Sequence, residues 1–544
     1  SKYHLRKRFM FCTASAGPGT ANLVTSAALA MANRLPILLL CGDNFVTRLP
    51  DPVLQQVENF GDPTFGVTDA FKPVVRYWDR ITHPAQVIQS LPQAIQMLLD
   101  PADCGPAFIG LPQDVQGWAY EFPLQFFRER THVVREVIAD PREISSAADV
   151  ILAARRPLII AGGGVQYGDA VDELRQFAET HQIPVAETIA GRANLIWDHP
   201  LNAGPIGVTG SNSANAMAVD ADVVICVGTR LQDFTTGSWT CFSDKAQLVS
   251  VNPARFDAHK HMATAVVGGA QSSLPAISQL MGNFSTASDW LEKLNLEQSQ
   301  WSLVRDRNVD VTIGPNRYSQ AIGVVNQMCR ASDRVVAAAG GLPAEVTANW
   351  RTLGIGTVDV EFGFSCMGYE ISGGYGARIA QLDDDPGSDT IVFVGDGSYL
   401  LLNGDLYSAV ITDKKLIVIL LNNGGFAVID KLQTGKGNAS YNNLFVDTPT
   451  ATRMAPVDFV SHARSLGADA EKVADAQAFQ SAFARAQQSA NSYVIVMDVD
   501  PYDGWTTEGH AWWEVGTPSV SKRRSVRDGH AETESGRQQQ RRGV

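Results

Sequence analysis

The sequence has 544 residues, of which 45% are hydrophobic and 19% are charged, and its formal net charge is −13. At roughly 100–200 residues per domain, this length predicts about three domains. The acidic balance argues against a nucleic-acid-binding protein, and no apolar run approaches the roughly 18 residues of a membrane span. The seven cysteines form no CxxC pair, which favours reduced thiols and a cytoplasmic location.

Short apolar runs alternate with amphipathic stretches along most of the chain, and each run ends in Gly, Asn or Asp. Continuous apolar strands between helices are typical of parallel sheets that are covered on both faces. We therefore expect an α/β protein with doubly wound parallel-sheet domains. The predicted strands span residues 9–13, 36–40, 106–110, 157–161, 183–187, 222–227, 247–251, 334–338, 391–394, 416–421 and 493–499.

Breaks in this rhythm indicate the domain boundaries. The first apolar strand comes almost at the start of a chain that lacks an initiator Met, so we expect the first domain to be incomplete at its N-terminus. The basic tail after residue 521 is polar and lacks aromatic residues, which favours disorder. The expected divisions are three domains, at 1–121, 143–285 and 316–500, followed by a C-terminal segment at 501–544.

Two polar motifs follow consecutive apolar strands in the third domain, GDGS at 395–398 and NNGG at 422–425. A right-handed crossover between parallel strands brings both motifs to one sheet edge, where ligands of such sheets bind. Asp396, Asn423 and the Gly425 carbonyl would then offer oxygen ligands suited to Mg²⁺. Gly397 and the helix start at Ser398 would suit a diphosphate. Each motif alone is more often a turn, but together they favour a metal-diphosphate site.

These motifs resemble the signature of enzymes that depend on thiamine diphosphate. In that family an Asp, the second Asn and a later carbonyl hold Mg²⁺, which implies Asp396, Asn423 and Gly425 as the ligands. The resemblance also implies that the apolar side chain of Met367 props the cofactor in its bent form. The implied cofactor-binding residues are Gly340, Gly341, Leu342, Ser365, Met367, Gly395, Asp396, Gly397, Ser398, Asn423 and Gly425.

The resemblance covers nearly the whole chain. Segments 14–23 and 111–116 look like parts of the family's pyrimidine-binding domain, in the first predicted domain. The second predicted domain resembles the family's central Rossmann-like domain, and the third resembles its diphosphate-binding domain. Asn422 and Phe426 depart from the family pattern, in which Asp and Tyr are expected, but they leave the proposed metal ligands unchanged.

Four longer stretches are similar to one branch of this family, hydrolases that open a cyclic 1,2-diketone in myo-inositol degradation. They span 49–56, 229–239, 361–370 and 511–515. This branch implies a small polyhydroxy cyclic diketone as substrate. It also implies cleavage of the bond between the two carbonyl carbons by water, with 5-deoxy-D-glucuronate as the product. Gln56 is the one residue that we suggest faces the substrate.

The family activates its cofactor with a glutamate upstream of the Gly-Pro-Gly segment at 17–19, which falls outside this sequence. We therefore expect the complete enzyme to be active and this chain alone to be inactive, since loss of a proton-transfer group costs on the order of 10²–10⁴ in rate. In this family the cofactor lies between two subunits, which implies a homodimer at least and leaves a tetramer possible.

Two other functions remain open from the sequence. One is a carboligase that condenses 2-keto acids, like acetolactate synthase, and the other is a non-catalytic remnant of the fold. The glycine-rich loop at 162–164 could hold a nucleotide. It lacks the GxGxxG pattern and a clear ribose-binding acid, however, so FAD is not expected.

Overall fold

The computed structural model describes residues 2–48, 53–453, 455–503, 505–506 and 511–541. Within them the chain forms three sheets with only parallel pairing between strands and helices between the strands, which confirms the predicted α/β class. The chain divides into two compact units. The first comprises residues up to 137 together with 253–255, and the second comprises the remaining residues.

The first unit contains a four-stranded sheet in the order β1-β2-β4-β3. Its apolar core includes Leu39, Phe71 and Phe108, with the rings of Phe71 and Phe108 stacked 4.4 Å apart. The elements of this unit are β1 (Met10–Ala14), α1 (Pro18–Ala21), α2 (Val24–Asn33), β2 (Ile37–Asp43), β3 (Tyr77–Arg80), α3 (Val87–Leu98) and β4 (Ala107–Pro112).

The second sheet has six strands in the order β10-β9-β8-β5-β6-β7 and belongs to the second unit. The elements along this part of the chain are α4 (Pro141–Leu152), β5 (Pro157–Ala161), α5 (Gly163–Tyr167), α6 (Val171–His181), β6 (Val185–Glu187), β7 (Asn202–Pro205), α7 (Asn212–Asp220), β8 (Val223–Val227), α8 (Asp233–Thr236), β9 (Gln247–Val251), α9 (Arg255–Ala258), β10 (Thr264–Val266) and α10 (Ala270–Met281). A long polar helix, α11 (Ser288–Asn308), follows in the chain.

The third sheet also has six strands, in the order β12-β11-β13-β14-β16-β15. Its elements are α12 (Tyr318–Met328), β11 (Arg334–Ala337), α13 (Gly341–Asn349), β12 (Val358–Val360), α14 (Tyr369–Asp384), β13 (Thr390–Gly395), α15 (Asp396–Leu401), α16 (Gly404–Ile411), β14 (Ile417–Asn422), α17 (Ala427–Gly435), α18 (Phe459–Ser465), β15 (Asp469–Val473), α19 (Ala476–Gln488) and β16 (Tyr493–Asp498). The described elements end with α20 (Arg524–Gln539).

Strand β14 shows why the central strands read as unbroken apolar runs. Ile417, Ile419 and Leu421 face one core that also contains Phe479 and Phe483 of α19. The intervening residues of β14 up to Leu420 point to the opposite face and are also fully buried. Both faces of this strand are therefore covered, as expected for a doubly wound sheet.

Five strands of the described structure were not predicted from the sequence, and each lies at the edge of its sheet: β3, β7, β10, β12 and β15. They are three to five residues long, and several carry polar or charged residues, as in Tyr77–Arg80 and Asp469–Val473. The side chains of β3 and β15 are only partly buried, so these strands have room for polar residues. Their sequences therefore lack the continuous apolar pattern.

The prediction of a disordered tail was wrong for residues 524–539, which form α20. The helix is fixed by contacts that its polar composition does not reveal. Val526 is buried, and Glu532 forms an ion pair of 2.8 Å with the buried Lys436. At Gly536 a side chain would overlap the ring of Trp512, so the glycine allows close packing. The helices in the described parts of the chain are too short or too polar to span a lipid bilayer.

Candidate active site

The two polar motifs of the third sheet meet at one edge. Strands β13 and β14 pair in parallel, with Gly395 opposite Leu421, so Asp396 and Asn423 follow neighbouring strand ends. The main-chain amide of Asn423 donates to Asp396 Oδ1 at 3.3 Å, and that of Gly425 donates to Asp396 Oδ2 at 2.8 Å. The loop after β14 is thus tied directly to the carboxylate that follows β13.

Asp396 is a fully buried carboxylate held by main-chain amides. Burial raises the pKa of its carboxyl group, and hydrogen bonds from the amides of Asn423, Gly425 and Gly397 oppose that rise. Within the described parts of the chain, no lysine or arginine forms an ion pair with Asp396. A buried carboxylate without a counter-charge is costly, so a bound cation would stabilise this arrangement.

Asn423 supplies the second oxygen at this edge. Its Nδ2 donates a hydrogen bond of 2.5 Å to the hydroxyl of Tyr318, but its Oδ1 is buried without a hydrogen-bond partner in the described structure. Buried polar atoms nearly always have a partner. A carboxylate beside an unsatisfied amide oxygen is a set of donors that fits a hard divalent cation such as Mg²⁺.

The loop after β14 needs its two glycines. Gly424 has φ +77° and Gly425 has φ +144°, conformations that residues with a side chain rarely adopt. A Cβ atom at Gly425 would also lie 2.5 Å from the carbonyl oxygen of Asn443. These glycines let the chain turn back so that the Gly425 amide reaches Asp396.

Met367 lies between β12 and α14 in the chain, and its side chain lies close to Gly397, just after β13. A Cβ atom at Gly397 would meet the ring of Phe426 at 2.7 Å and the methyl group of Met367 at 3.5 Å. The structure thus brings Gly397, Met367 and Phe426 together, although they come from three separate segments. Ser365, two residues before Met367, is exposed and has a left-handed φ of +56°.

Ser398 and Glu370 form a buried network beside this loop. The Ser398 hydroxyl donates to Glu370 Oε2 at 2.7 Å and accepts from the amide of Gly368 at 2.7 Å. Gly368 also donates to Glu370 Oε2 at 3.0 Å. Burial raises the pKa of Glu370, and the hydrogen bond from Ser398 opposes the rise. Ser398 therefore joins the Gly395–Ser398 motif to the turn that carries Met367.

The loop at Gly340 and Gly341 opens α13 at the end of the neighbouring strand β11. Gly340 has a φ of +89°, and Leu342 is buried. A side chain at Gly341 would overlap the ring of Trp505, so Trp505 packs directly on this loop. Trp505 also lies with its ring centre 5.5 Å from that of Tyr318. This loop, Tyr318 and the two polar motifs therefore belong to one edge of the third sheet.

In the first unit, the turn that carries Gln56 lies against the Gly-Pro-Gly segment. Gln56 is half-buried, and its amide donates to the carbonyl of Val53 at 3.1 Å. Gly17 has a φ of +69°, and a side chain there would overlap the Gln55 carbonyl. Residues 49–52 of the 49–56 motif lie outside the described residues.

The glycine-rich loop of the second sheet is packed against its neighbour. The Gly162 amide donates to the carbonyl of Val227 at 2.9 Å, and the Gly164 amide donates to that of Gly228 at 2.8 Å. A side chain at Gly162 would overlap the Gly228 carbonyl. Close backbone packing therefore accounts for these glycines and uses amides that could otherwise bind a phosphate.

Comparison with known families agrees with the geometry. Residues 144–277 match the model described as "Thiamine pyrophosphate enzyme, central domain", and residues 339–497 match "Thiamine pyrophosphate enzyme, C-terminal TPP binding domain". The chain belongs to the thiamine pyrophosphate enzymes. The matched C-terminal domain begins just after β11 and ends within β16, so it contains both polar motifs.

Among these thiamine pyrophosphate enzymes, the chain has curated relatives with one shared name. It is 37% identical to a "3D-(3,5/4)-trihydroxycyclohexane-1,2-dione hydrolase" of Bacillus anthracis (strain CDC 684 / NRRL 3495), over 99% of this chain and 88% of the relative. Proteins of the same name from Bacillus cereus (strain AH820) and Bacillus thuringiensis (strain Al Hakam) match with the same identity and coverage.

Three residues of this edge were missed in the sequence analysis as contributors to the site: Tyr318, Glu370 and Trp505. Tyr318 lies 105 residues before its partner Asn423. Glu370 ends one of the motifs that resemble the hydrolase branch, so its place in that motif was the available signal. Tyr318 and Trp505 carry no local signal, because each reaches the site only through the folding of distant segments.

Proposed function

We propose that Mg²⁺ and thiamine diphosphate bind at the carboxyl edge of the third sheet. Asp396, Asn423 and the Gly425 carbonyl would hold the metal ion. Within the described residues, Asn423 Oδ1 is buried without a hydrogen-bond partner, and the main chain of Asn423 bonds the buried Asp396 carboxylate; this observation carries the proposal. The residues proposed to contact the cofactor are Gly340, Gly341, Leu342, Ser365, Met367, Gly395, Asp396, Gly397, Ser398, Asn423 and Gly425.

We further propose that the protein cleaves a carbon–carbon bond of a cyclic 1,2-diketone by adding water. The substrate would be 3D-(3,5/4)-trihydroxycyclohexane-1,2-dione, as the relatives' name states, and the product 5-deoxy-D-glucuronate. When bound, thiamine diphosphate supplies an electron sink for breaking the bond between two carbonyl carbons. The chain's residues would anchor the diphosphate through Asp396 and Asn423 and present the apolar side chain of Met367 to the cofactor.

The location and assembly of the enzyme also belong to this proposal. All seven cysteines are free in the structure, which supports a reducing compartment such as the cytoplasm. We propose a homodimer as the smallest competent unit, since the family places its cofactor between subunits, and a tetramer is compatible with this. FAD is not part of the proposed site.

Product analysis tests the reaction. The protein is loaded with Mg²⁺ and thiamine diphosphate and incubated with the cyclic diketone, and the products are identified by mass spectrometry. The expected product is an open-chain acid that is heavier than the substrate by one water.

Two results would contradict the proposed function. Condensation of pyruvate without ring opening, together with FAD in the purified protein, would favour a carboligase like acetolactate synthase. Failure to bind thiamine diphosphate in the presence of Mg²⁺ would favour a remnant that keeps the fold without the chemistry.

A further inference from the structure

The side-chain amide of Asn423 has a defined orientation. Its Nδ2 donates to the Tyr318 hydroxyl at 2.5 Å, and its Oδ1 is buried without a hydrogen-bond partner in the part of the chain that the structure describes. Rotation of an Asn side chain by half a turn exchanges its oxygen and its nitrogen at almost no cost in shape. When the oxygen binds a ligand, the NH₂ group on the other side needs an acceptor of its own, and the Tyr318 hydroxyl is placed to be that acceptor.

Tyr318 is held at this edge by its own surroundings. It is the first residue of α12 and is only 4% exposed. Two residues earlier, Asn316 Nδ2 donates to the carbonyl of Asp498 at 3.2 Å, and the Asn316 carbonyl accepts from the amide of Asp500 at 3.0 Å. These bonds tie the start of α12 to the carboxyl end of β16, which is the neighbour of β14.

The aromatic ring of Tyr318 is also confined. It packs in the core that contains Val499 and Trp505, with its ring centre 5.5 Å from that of Trp505. A phenol fixed at both its backbone and its ring can present its hydroxyl at one place only. Such a group can satisfy the NH₂ group of a neighbouring amide whose oxygen is bound to a metal ion, as partners outside the ligand set do in metal sites.

We propose that Tyr318 is a positioning residue for the metal site. Its hydroxyl accepts a hydrogen bond from the Asn423 NH₂ group and so leaves the amide oxygen available to the cation. This inference rests on the proposed function, in which Asn423 is a ligand of Mg²⁺. It adds a residue that does not itself touch the metal and that belongs to neither polar motif.

A double-mutant cycle tests this role. The variants are Tyr318→Phe, Asn423→Asp and the double variant, and Tyr493→Phe is the control. Tyr493 is a matched control because its hydroxyl bonds Glu471 at 2.6 Å at the opposite end of the same sheet. The affinity for Mg²⁺ is measured by calorimetric titration at saturating thiamine diphosphate, so the readout does not depend on turnover.

Tyr318→Phe is expected to weaken Mg²⁺ binding by about 10–100-fold, the usual effect of losing a group that orients a metal ligand. In the Asn423→Asp background the same substitution is expected to have little effect, because a carboxylate presents an oxygen in either orientation. Tyr493→Phe is expected to bind Mg²⁺ like the wild type.

Two outcomes would overturn the positioning role while the proposed function stands. One is wild-type Mg²⁺ affinity in Tyr318→Phe, and the other is an equal loss in both backgrounds, which would indicate a packing effect. Failure of the wild type to bind Mg²⁺ and thiamine diphosphate would instead overturn the proposed function, and this inference with it.

A crystal structure of the wild type with Mg²⁺ and thiamine diphosphate tests the same point if Tyr318→Phe does not fold. We expect Asn423 Oδ1 at about 2.1 Å from the ion and Nδ2 bonded to the Tyr318 hydroxyl. An Asn423 side chain that does not contact the ion, or that directs Oδ1 to Tyr318, would overturn the inference.

Discussion

Two glycine-rich loops in the second unit have the same position after a central strand but differ in the hydrogen bonds that surround them. Gly162–Gly164 follows β5, and Gly395–Gly397 starts at the last residue of β13. Both strands are buried, central and parallel, and both segments lead into a helix. In the first loop, main-chain amides donate to the carbonyls of Val227 and Gly228. In the second, the buried Asp396 carboxylate accepts hydrogen bonds from main-chain amides of the loop after β14, and the Asn423 amide oxygen has no partner among the described residues.

The difference shows which feature marks a ligand site. Glycines in both loops allow close approach of backbone, so glycine content does not separate the two. What separates them is a buried charge without a counter-charge. Within the described residues, each loop has a buried amide oxygen without a partner nearby: Asn194 Oδ1, whose Nδ2 donates to the Gly162 carbonyl, and Asn423 Oδ1. The buried carboxylate near the first loop, Glu187, is paired with Arg192, whereas the buried Asp396 has no such partner in the described structure. A buried charge without a counter-charge is costly, so it indicates a bound cation.

The largest expected effect comes from removing the charge of Asp396. Asp396→Asn should weaken binding of thiamine diphosphate with Mg²⁺ by more than about 100-fold. Loss of a residue that only orients a metal ligand weakens binding roughly 10–100-fold, and loss of a ligand itself should weaken it more. Binding is measured by equilibrium dialysis. The control is Asp333→Asn, because Asp333 is also buried but is paired with Arg330 at 2.9 Å. Equal binding by Asp396→Asn and the wild type would contradict the account.

The second prediction concerns packing in the other loop. Gly162→Ala would force a methyl group onto the Gly228 carbonyl, and overpacking of this kind costs about 1–3 kcal/mol. We expect a melting temperature lower by several degrees, while the folded variant binds thiamine diphosphate like the wild type. At Gly376 a methyl group would meet no atom within 4 Å, so Gly376→Ala serves as the control. Loss of cofactor binding in Gly162→Ala alone would undermine the comparison.

The smallest expected effect concerns Glu370 and pH. Burial raises its pKa in the folded protein, so the folded state binds the proton more tightly than the unfolded state. The stabilisation that this proton provides is fully present below the pKa of Glu370 in the unfolded state. It is lost as pH rises through the pKa of Glu370 in the folded state, and it amounts to about 1.4 kcal/mol for each pH unit by which the two pKa values differ. Glu370→Gln should therefore gain stability relative to the wild type as pH rises, as measured by thermal unfolding.

Glu471 provides a control of opposite sign. The hydrogen bond from Arg485 lowers the pKa of Glu471, so its contribution is lost as pH falls through the folded pKa. Glu471→Gln should therefore gain stability relative to the wild type as pH falls. The same direction of pH dependence for both variants would show that burial is not the main influence on the pKa of Glu370.

Buried strands and chain-local motifs were predictable from the sequence, and edge strands and distant partners were not. The run that became β14 is apolar because both faces are covered, whereas β15 has one free edge and reads as polar. Asp396 and Asn423 could be predicted to lie close together because the ends of consecutive parallel strands share one edge of the sheet. The family assignment from these motifs is confirmed by the matched domains.

Tyr318 and α20 show why the rest could not be predicted. Tyr318 reaches Asn423 across 105 residues through the packing of α12 beside β16. The C-terminal helix is largely polar, and its order depends on single contacts such as Glu532 with Lys436. Neither contact leaves a periodic pattern or a short motif, since both depend on the tertiary arrangement of separate segments.

The dependence of cofactor binding on a divalent cation tests the central claim most directly. Thiamine diphosphate is titrated calorimetrically into the wild-type protein, once with Mg²⁺ and once with EDTA. If Asp396 and Asn423 hold a metal ion that anchors the diphosphate, binding occurs with Mg²⁺ and is lost with EDTA. Equal binding under both conditions, or no binding under either, would contradict the claim.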